Sequence, residues 1–430
     1  MQVMRPPIQP SPTDSPPPDK AVRFLTSLSH GFRALEIRNY RLYWFGQLIS
    51  QAGSWMQTTA QSWLVLQLTQ SPLALGTVTA LQFLPIMLLS LLGGAIGDRL
   101  PKHRLIMMTQ TAALIQALLF AFLVSTGMVQ LWHVYVLAAL QGIINAIDNP
   151  VRQAFAMELV GRERLVNAVA LNSMLFNGAR IIGPALAGLI IARAGSPLAG
   201  IGIVLYINAI SFVAVLLGLL MMNRSEFIAI APRPGHMGRD LLEGLHYVWR
   251  TPAVLLVMIV VAAIGTFGYN FSVVLPLLSA FVLHTDAAGF GGLSAFLGVG
   301  SLVGALATAY AGQVSLRRLL LGSASFGVLL AAVALSSNYY LSGALLVALG
   351  LAGILFSTSA NTLIQLTTPD ELRGRVLGLY MLLFAGSTPI GGMFIGSLSS
   401  RIGVPETLLL CALLCLLGVG AAFVYGQRKR

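Results

Sequence analysis

The fold class that the sequence predicts is an all-α membrane protein, with twelve transmembrane helices in two homologous six-helix bundles. Three observations carry it. First, 56% of the residues are hydrophobic, 9% are charged and the mean hydropathy is +0.81, whereas a soluble domain carries roughly 25% charged residues. Second, the charges are segregated. Runs free of Asp, Glu, Lys and Arg cover 42–97, 105–147, 194–223, 251–283, 287–316, 319–369, 376–400 and 407–427. At about 20 apolar residues per crossing, the first, second and sixth runs hold two spans each and the others one, and 165–192, interrupted only by Arg180, completes the twelve. Third, the stretch from Asn145 to Gly188 has a partial copy beginning at Asn361. Both copies carry Asn-x-x-x-Gln (Asn149/Gln153, Asn361/Gln365), an acidic and arginine-rich turn, and a span with Ile-Gly (Ile182-Gly183, Ile390-Gly391). A repeat of two spans and their loop, half a chain apart, implies two bundles fused head to tail.

The spans are expected at 40–68, 72–96, 105–126, 131–154, 165–191, 198–222, 252–283, 288–313, 317–336, 340–366, 372–399 and 405–426. All should be helices, because backbone in lipid must bond internally and the period-2 pattern of a membrane barrel is missing. The division that follows is a disordered cytoplasmic tail (1–30), an N-terminal bundle (31–222), a cytoplasmic central loop with a short amphipathic helix (223–250), a C-terminal bundle (251–427) and a basic tail (428–430). The tail is proline-rich and no cleavable secretion signal is expected, since the first long apolar run begins beyond residue 40. With the N-terminus inside, nearly all arginines and lysines fall on the cytoplasmic side and only Arg193 and Arg401 outside. That asymmetry places both termini in the cytoplasm; the membrane itself is expected to be a plasma membrane, bacterial, and the inner one if there are two. The asymmetry also explains the net charge of +12 as headgroup contact with membrane lipids, and excludes a nucleic-acid partner.

Taken in order, Phe32 to Arg41 suits an interfacial helix, and span 1 carries Gln47, Gln51, Ser54, Thr58 and Gln61 at steps of three and four, one polar face. Such a stripe is either a cavity wall or interhelical glue. In the central loop, 240–247 can form an amphipathic helix with Leu241, Leu242, Leu245 and Val248 against membrane or bundle. Span 7 breaks its apolar pattern at Gly265, Thr266, Gly268, Tyr269, Asn270 and Pro276, as bent carrier helices do. Cys411 and Cys415 read as packing; no metal site, cofactor or Walker motif is indicated, so the chain is not expected to be an enzyme.

The loop after span 2, Gly94-Ala-Ile-Gly-Asp98-Arg99-Leu-Pro101-Lys102-His103-Arg104, resembles the cytoplasmic motif Gly-x-x-x-Asp-Arg-x-Gly-Arg-Arg of the major facilitator superfamily, with Pro101 in place of the glycine. Gly178 and Gly183-Pro184-x-x-Ala187-Gly188 look like that family's antiporter motif on helix 5. An arginine expected before Gln141-Gly142 is replaced by Ala138. The segments 46–57, 63–76, 82–85 and 149–173 are similar to an exporter branch that includes the enterobactin exporter and macrolide and multidrug efflux carriers. The resemblance implies the family fold and a small-molecule secondary active exporter working as a monomer. It gives gating roles to Asp98, Arg99, Arg152, Gly183 and Pro184; Asp98 would cap the helix starting near Asp370 to Arg373 when the cytoplasmic side closes, a favourable place for a carboxylate. It also implies a central cavity, to which polar residues assign Gln51, Thr58, Gln61, Asn145, Arg180, Asn270 and Asn361.

Arg180 is expected to be the main fixed charge inside the bundle, serving either anion attraction, pairing with an internal acid, or a hydrogen bond to Asn177, backbone or another helix. Of the 14 acidic residues only Asp148 falls inside a span rather than at a helix end or in a loop. It is the candidate proton-coupling group, the alternatives being a structural carboxylate bonded to Arg152 or to the following turn, or direct contact with substrate. Cargo is expected to be bulky and hydrophobic or amphiphilic, drug-like or a siderophore, moved outward by alternating access with protons as coupling ion. A non-pumping receptor or scramblase of the same fold, or a metabolite uptake carrier, remain as alternatives.

Overall fold

The computed structural model describes residues 32–228, 237–311 and 314–428. The expected disordered tail, the part of the central loop around His236 and the last two residues of the basic tail lie outside them. The first bundle is built from α1 (Arg38–Thr69), α2 (Pro72–Arg99), α3 (Lys102–Ser125), α4 (Leu131–Val160), α5 (Leu165–Arg193) and α6 (Pro197–Leu220). Linker helix α7 (Met237–Arg250) leads into the second: α8 (Pro252–Ala263) and α9 (Phe271–Leu277) share span 7, followed by α10 (Ala287–Ala311), α11 (Leu316–Leu335) and α12 (Tyr339–Thr367). Helices α13 (Asp370–Phe384) and α14 (Thr388–Ile402) share span 11, and α15 (Val404–Arg428) ends the chain. Eleven spans among the described residues are long and apolar enough to cross a membrane. Helix α1 makes the twelfth; its 32 residues reach about 48 Å at 1.5 Å per residue, but its polar stripe lowers its hydropathy.

Turns are capped where the sequence places Ser or Asn before an apolar run. Ser71, Ser196 and Ser315 accept the amides of Ala74, Ala199 and Arg318, and Asn338 those of Tyr340 and Leu341, satisfying N–H groups that the first helical turn leaves unpaired. The helices alternate in direction, so the termini, α7 and the turns after α2, α4 and α12 share one end of the molecule. This is the near end; the turns after α1, α3 and α5 form the far end.

Two spans are discontinuous. Span 7 passes through a π turn at Ile264–Gly268, leaves helical geometry at Tyr269 and Asn270, and closes α9 with a second π turn at Leu278–Val282. The Asn270 side chain donates to the Thr266 carbonyl at 2.7 Å, recovering an acceptor that the break frees. Span 11, expected to run unbroken, is interrupted at Ala385-Gly386-Ser387. Pro389 explains this: it lacks an N–H and its ring conflicts with a carbonyl one turn earlier, so α13 cannot continue into α14. The linker helix meets the bundle with one face only. Val248 is buried, but Leu242 and Leu245 are exposed, because Gly244 meets Arg375, Glu243 pairs with Arg375 and Tyr247 donates to the Thr367 carbonyl at 2.9 Å. These contacts turn the other face of α7 onto α12 and α13.

The two bundles meet through two glycine contacts toward the far end. A methyl group on Gly76 of α2 would stand 2.5 Å from the Gly392 carbonyl oxygen of α14, and one on Gly396 2.7 Å from the Pro72 oxygen. On the other side of the molecule, a methyl on Gly291 of α10 would stand 2.6 Å from the Pro184 oxygen of α5, and Gly188 lies against Ala287. Absent Cβ atoms allow helix backbones to touch where lipid gives no hydrophobic drive to associate. The near end differs. Gly178, Gly374 and Gly378 have nothing within 4 Å of a Cβ position, and Asp98 and Arg99 are exposed. The molecule is therefore closed at its far end and open at its near end.

Filling a clasp should part the far end. Gly76→Val is expected to cost the closed arrangement about 1–3 kcal/mol, the usual penalty for overpacking. The readout is modification of a cysteine introduced at Ser294 by an impermeant thiol reagent added at the far end, with Cys411 and Cys415 replaced by alanine. Faster labelling than in the parent is expected; equal rates would show that this contact does not hold the far end shut.

Candidate functional site

A cavity of about 420 Å³ lies between the two bundles. Its two walls differ in chemistry. From the first bundle come Gln51, Ser54, Gln57, Thr58, Gln61, Gln82, Gln141, Asn145, Asp148, Asn149, Arg152 and Arg180, with Trp55, Phe83, Ile86, Ile144, Phe176 and Phe212 among them. The second bundle supplies Tyr269, Phe271, Leu275, Phe290, Leu297 and Phe384, with Ser272, Ser294 and Thr388 as its hydroxyls. The discontinuities of spans 7 and 11 lie at this level, bringing Tyr269, Phe384, Ala385 and Thr388 to the cavity. Irregular backbone is tolerated at membrane depth where it lines such a space.

The polar stripe of α1 serves as both wall and glue. Gln51, Ser54, Thr58 and Gln61 line the cavity, and Gln61 also donates to Gln82 of α2 at 3.3 Å. Gln47 instead accepts from Arg152. The helical spacing that selects Ser54, Thr58 and Gln61 also passes through Gln57, a cavity residue that the sequence reading did not single out. Gln57 accepts from Asn208 of α6 at 2.6 Å and donates to Gln116 of α3 at 3.4 Å. The amides Gln116 and Asn208 inside the apolar spans 3 and 6 were the available signal for that network.

Asp148 is 1% exposed. It accepts from Thr109 Oγ1 at 2.5 Å and from Gln110 Nε2 at 3.1 Å, and pairs with Arg152 one turn along α4. Through Gln47 the network reaches α1, so one buried carboxylate ties α1, α3 and α4. With the near end open, i,i+4 spacing turns the Arg152 guanidinium onto Asp148, the partner that the structural alternative for Asp148 names. No hydrogen bond or ion pair of Asp98 or Arg99 is found among the described residues, and Arg373 pairs with Asp370 at 2.5 Å. Gly183 packs α5 onto α1, with Trp55 Cβ 2.6 Å from where its own Cβ would stand, while Pro184 joins the far-end clasp.

Two expected cavity residues lie elsewhere. Asn270 is 1% exposed and turned to its own π-turn carbonyls beside Gly391; its neighbours Tyr269 and Phe271 face the cavity instead. Asn361 sits toward the near end of α12, bonded to Gln365 of the same helix, and is not among the lining residues. Arg180 is where it was expected. Its guanidinium carbon is 5.9 Å from the Trp55 ring of α1 and 5.8 Å from the Tyr269 ring across the cavity, distances at which a cation is attracted by a ring face. Asn177 donates to the Ser173 carbonyl and is no partner of Arg180.

Comparison with known proteins places this geometry in a family. A family model described as transmembrane secretion effector matches residues 29–428. The multidrug efflux pump Tap of Mycolicibacterium fortuitum is 29% identical over 402 residues, 90% of this chain and 95% of that one. The staphyloferrin A transporter of Staphylococcus aureus is 27% identical, with 83% and 88% covered. Among solved structures, a bacterial homolog of the human lysosomal transporter Spinster, inward-facing and unoccupied, superposes with TM-score 0.72 at 11% identity over 90% of this chain and 97% of that chain, a likeness of fold.

Removing one member of the buried pair should cost more than removing both. Arg152→Gln leaves the Asp148 carboxylate uncompensated, a loss of about 3–5 kcal/mol for a buried pair, whereas Asp148→Asn with Arg152→Gln leaves two neutral amides. Melting temperatures in lipid nanodiscs are expected to rank the single variant below the double. A double variant no more stable than the single would mean that Arg152 does not neutralise Asp148.

Proposed function

Because the chain belongs to the transmembrane secretion effector family of the major facilitator superfamily, whose members are transporters and not enzymes, we propose that it is a secondary active exporter of bulky amphiphilic compounds, drug-like molecules or a siderophore. Alternating access moves them, with the near end cytoplasmic by its excess of basic residues, and protons drive the cycle. The observation that carries this reading is the two-faced cavity. Amides and charges on the first-bundle wall suit the polar part of a cargo, and the rings and leucines of the second suit its apolar part. Two relatives, a multidrug efflux pump and a staphyloferrin A transporter, are of a kind with such cargo.

Asp148 is the coupling group in this reading. As a carboxylate it is satisfied by Thr109, Gln110 and Arg152. As an acid it becomes a donor, and the Gln110 Oε1 atom, buried without a partner, can accept a hydrogen bond from its O–H after the amide turns over. Proton uptake then breaks the ion pair and frees the Arg152 guanidinium at the mouth of the cavity. Asp98 serves the opposite state: when the near end closes, its carboxylate meets the N-terminus of α13.

The test is Asp148→Asn in proteoliposomes, scored for proton-driven concentration of a fluorescent amphiphilic dye and for dye binding. Binding retained with uphill transport lost is the expected outcome. A variant that still concentrates dye in response to a proton gradient removes Asp148 as the essential carrier.

A further inference from the structure

Resting on that reading of the cavity, we infer that the cargo carries an anionic oxygen group, a carboxylate or a phenolate, bound by Arg180. The charged residues lining the cavity are Asp148, Arg152 and Arg180. Asp148 and Arg152 neutralise each other. Arg180 has no side-chain hydrogen bond or ion pair among the described residues, and its guanidinium carbon lies 5.9 and 5.8 Å from the Trp55 and Tyr269 rings. Ring faces attract the cation but take up none of its N–H donors, which are left to a ligand. The cavity thus carries one uncompensated positive charge between aromatic faces, the arrangement that receives a planar anion through two parallel hydrogen bonds.

Occlusion sharpens the selection. While the near end is open, water solvates Arg180. When the bundles close around a cargo that water leaves, and an unpaired charge in a low-dielectric site is costly unless the cargo supplies its counter-ion. A neutral compound can enter but leaves Arg180 unpaired at closure. An anionic one pairs with it while its apolar body lies on Tyr269, Phe271 and Phe384. Because Trp55 and Tyr269 belong to opposite bundles, Arg180 also touches both halves of the rocking unit, so the group that reads charge sits on the moving interface.

The experiment uses anthracenecarboxylate and its neutral isostere anthracenecarboxamide, with binding to the full chain in phosphatidylcholine nanodiscs measured by fluorescence and partition into empty discs subtracted. The parent is expected to bind the carboxylate about tenfold more tightly, the factor that about 1.4 kcal/mol supplies. In Arg180→Gln the ratio of the two affinities falls to about one. In Arg180→Lys it is intermediate, since an ammonium keeps the charge without the planar fork. Equal affinities in the parent, an unchanged ratio in Arg180→Gln or, should that variant not fold, in Arg180→Lys, or no binding of either probe would each overturn the inference. Proton-driven flux tests the exporter separately. Charge preference without flux keeps the anion site and loses the pump; flux without charge preference does the reverse.

Discussion

Two places where helix backbones touch set the terms for the rest of the molecule: Gly76 against Gly392 and Gly396, and Gly188 and Gly291 against each other with Pro184 and Ala287 alongside. The pairs occupy matching positions in the two bundles, at the far-end starts of α2 and α10 and in the far-end parts of α14 and α5. None of the side-chain hydrogen bonds between described residues crosses from one bundle to the other. Close packing without polar bonds forfeits only dispersion when it opens, many small terms, with no buried donor or acceptor stranded. That makes the contact reversible. Beside it, the Trp63 and Phe290 rings stack across the interface at 6.1 Å, closing the far end above the cavity by contact alone.

Polar groups are consequently satisfied inside one bundle. The Asp148 network ties α1, α3 and α4, and the Gln57 network ties α1, α3 and α6, so the first bundle is braced as one body. The second bundle reaches rigidity by other means. Tyr269 lies 5.1 Å from Phe271, 6.0 Å from Phe326 and 4.9 Å from Phe384, a ring cluster that braces the break in span 7 against spans 9 and 11. Flat aromatic surface and helix discontinuity coincide because only where the backbone leaves α-helical geometry does Tyr269 turn to the cavity while Asn270 turns back to its own carbonyls. The two-faced cavity is the product of these two ways of building a stable half.

Most of the architecture was legible because lipid imposes strong constraints on sequence. Charge segregation located the spans, and Gln51, Thr58, Gln61, Asn145, Asp148 and Arg180 reached the cavity because a polar group in an apolar helix has few other places to go. Asn270 and Asn361 obeyed the same rule differently, by bonding within their own helices, which spacing alone does not distinguish. The break in span 11 was marked by Pro389, a residue that many membrane helices accommodate without interruption. On α7, the apolar periodicity was visible, but the choice of face was made by Gly244, Glu243 and Tyr247, whose partners lie more than a hundred residues away. The aromatic wall was the least legible part. Phe271, Phe290 and Phe384 look like lipid-facing or core residues until the fold brings them opposite Arg180.

Under the proposed alternating access, two rigid bundles rock about the cavity, so that one end opens as the other closes. Paired spin labels read by pulsed electron paramagnetic resonance test it most directly. Exposed positions Leu100 and Glu371 span the near end, Met128 and Tyr340 the far end, and Met128 with Leu198 reports within the first bundle. Between neutral and acidic pH, with and without an amphiphilic carboxylate, the near-end distance should shorten in the same samples in which the far-end distance lengthens, while the pair within one bundle holds its value. Near- and far-end distances that stay fixed under every condition, or a change within the first bundle as large as that between the bundles, would contradict the account.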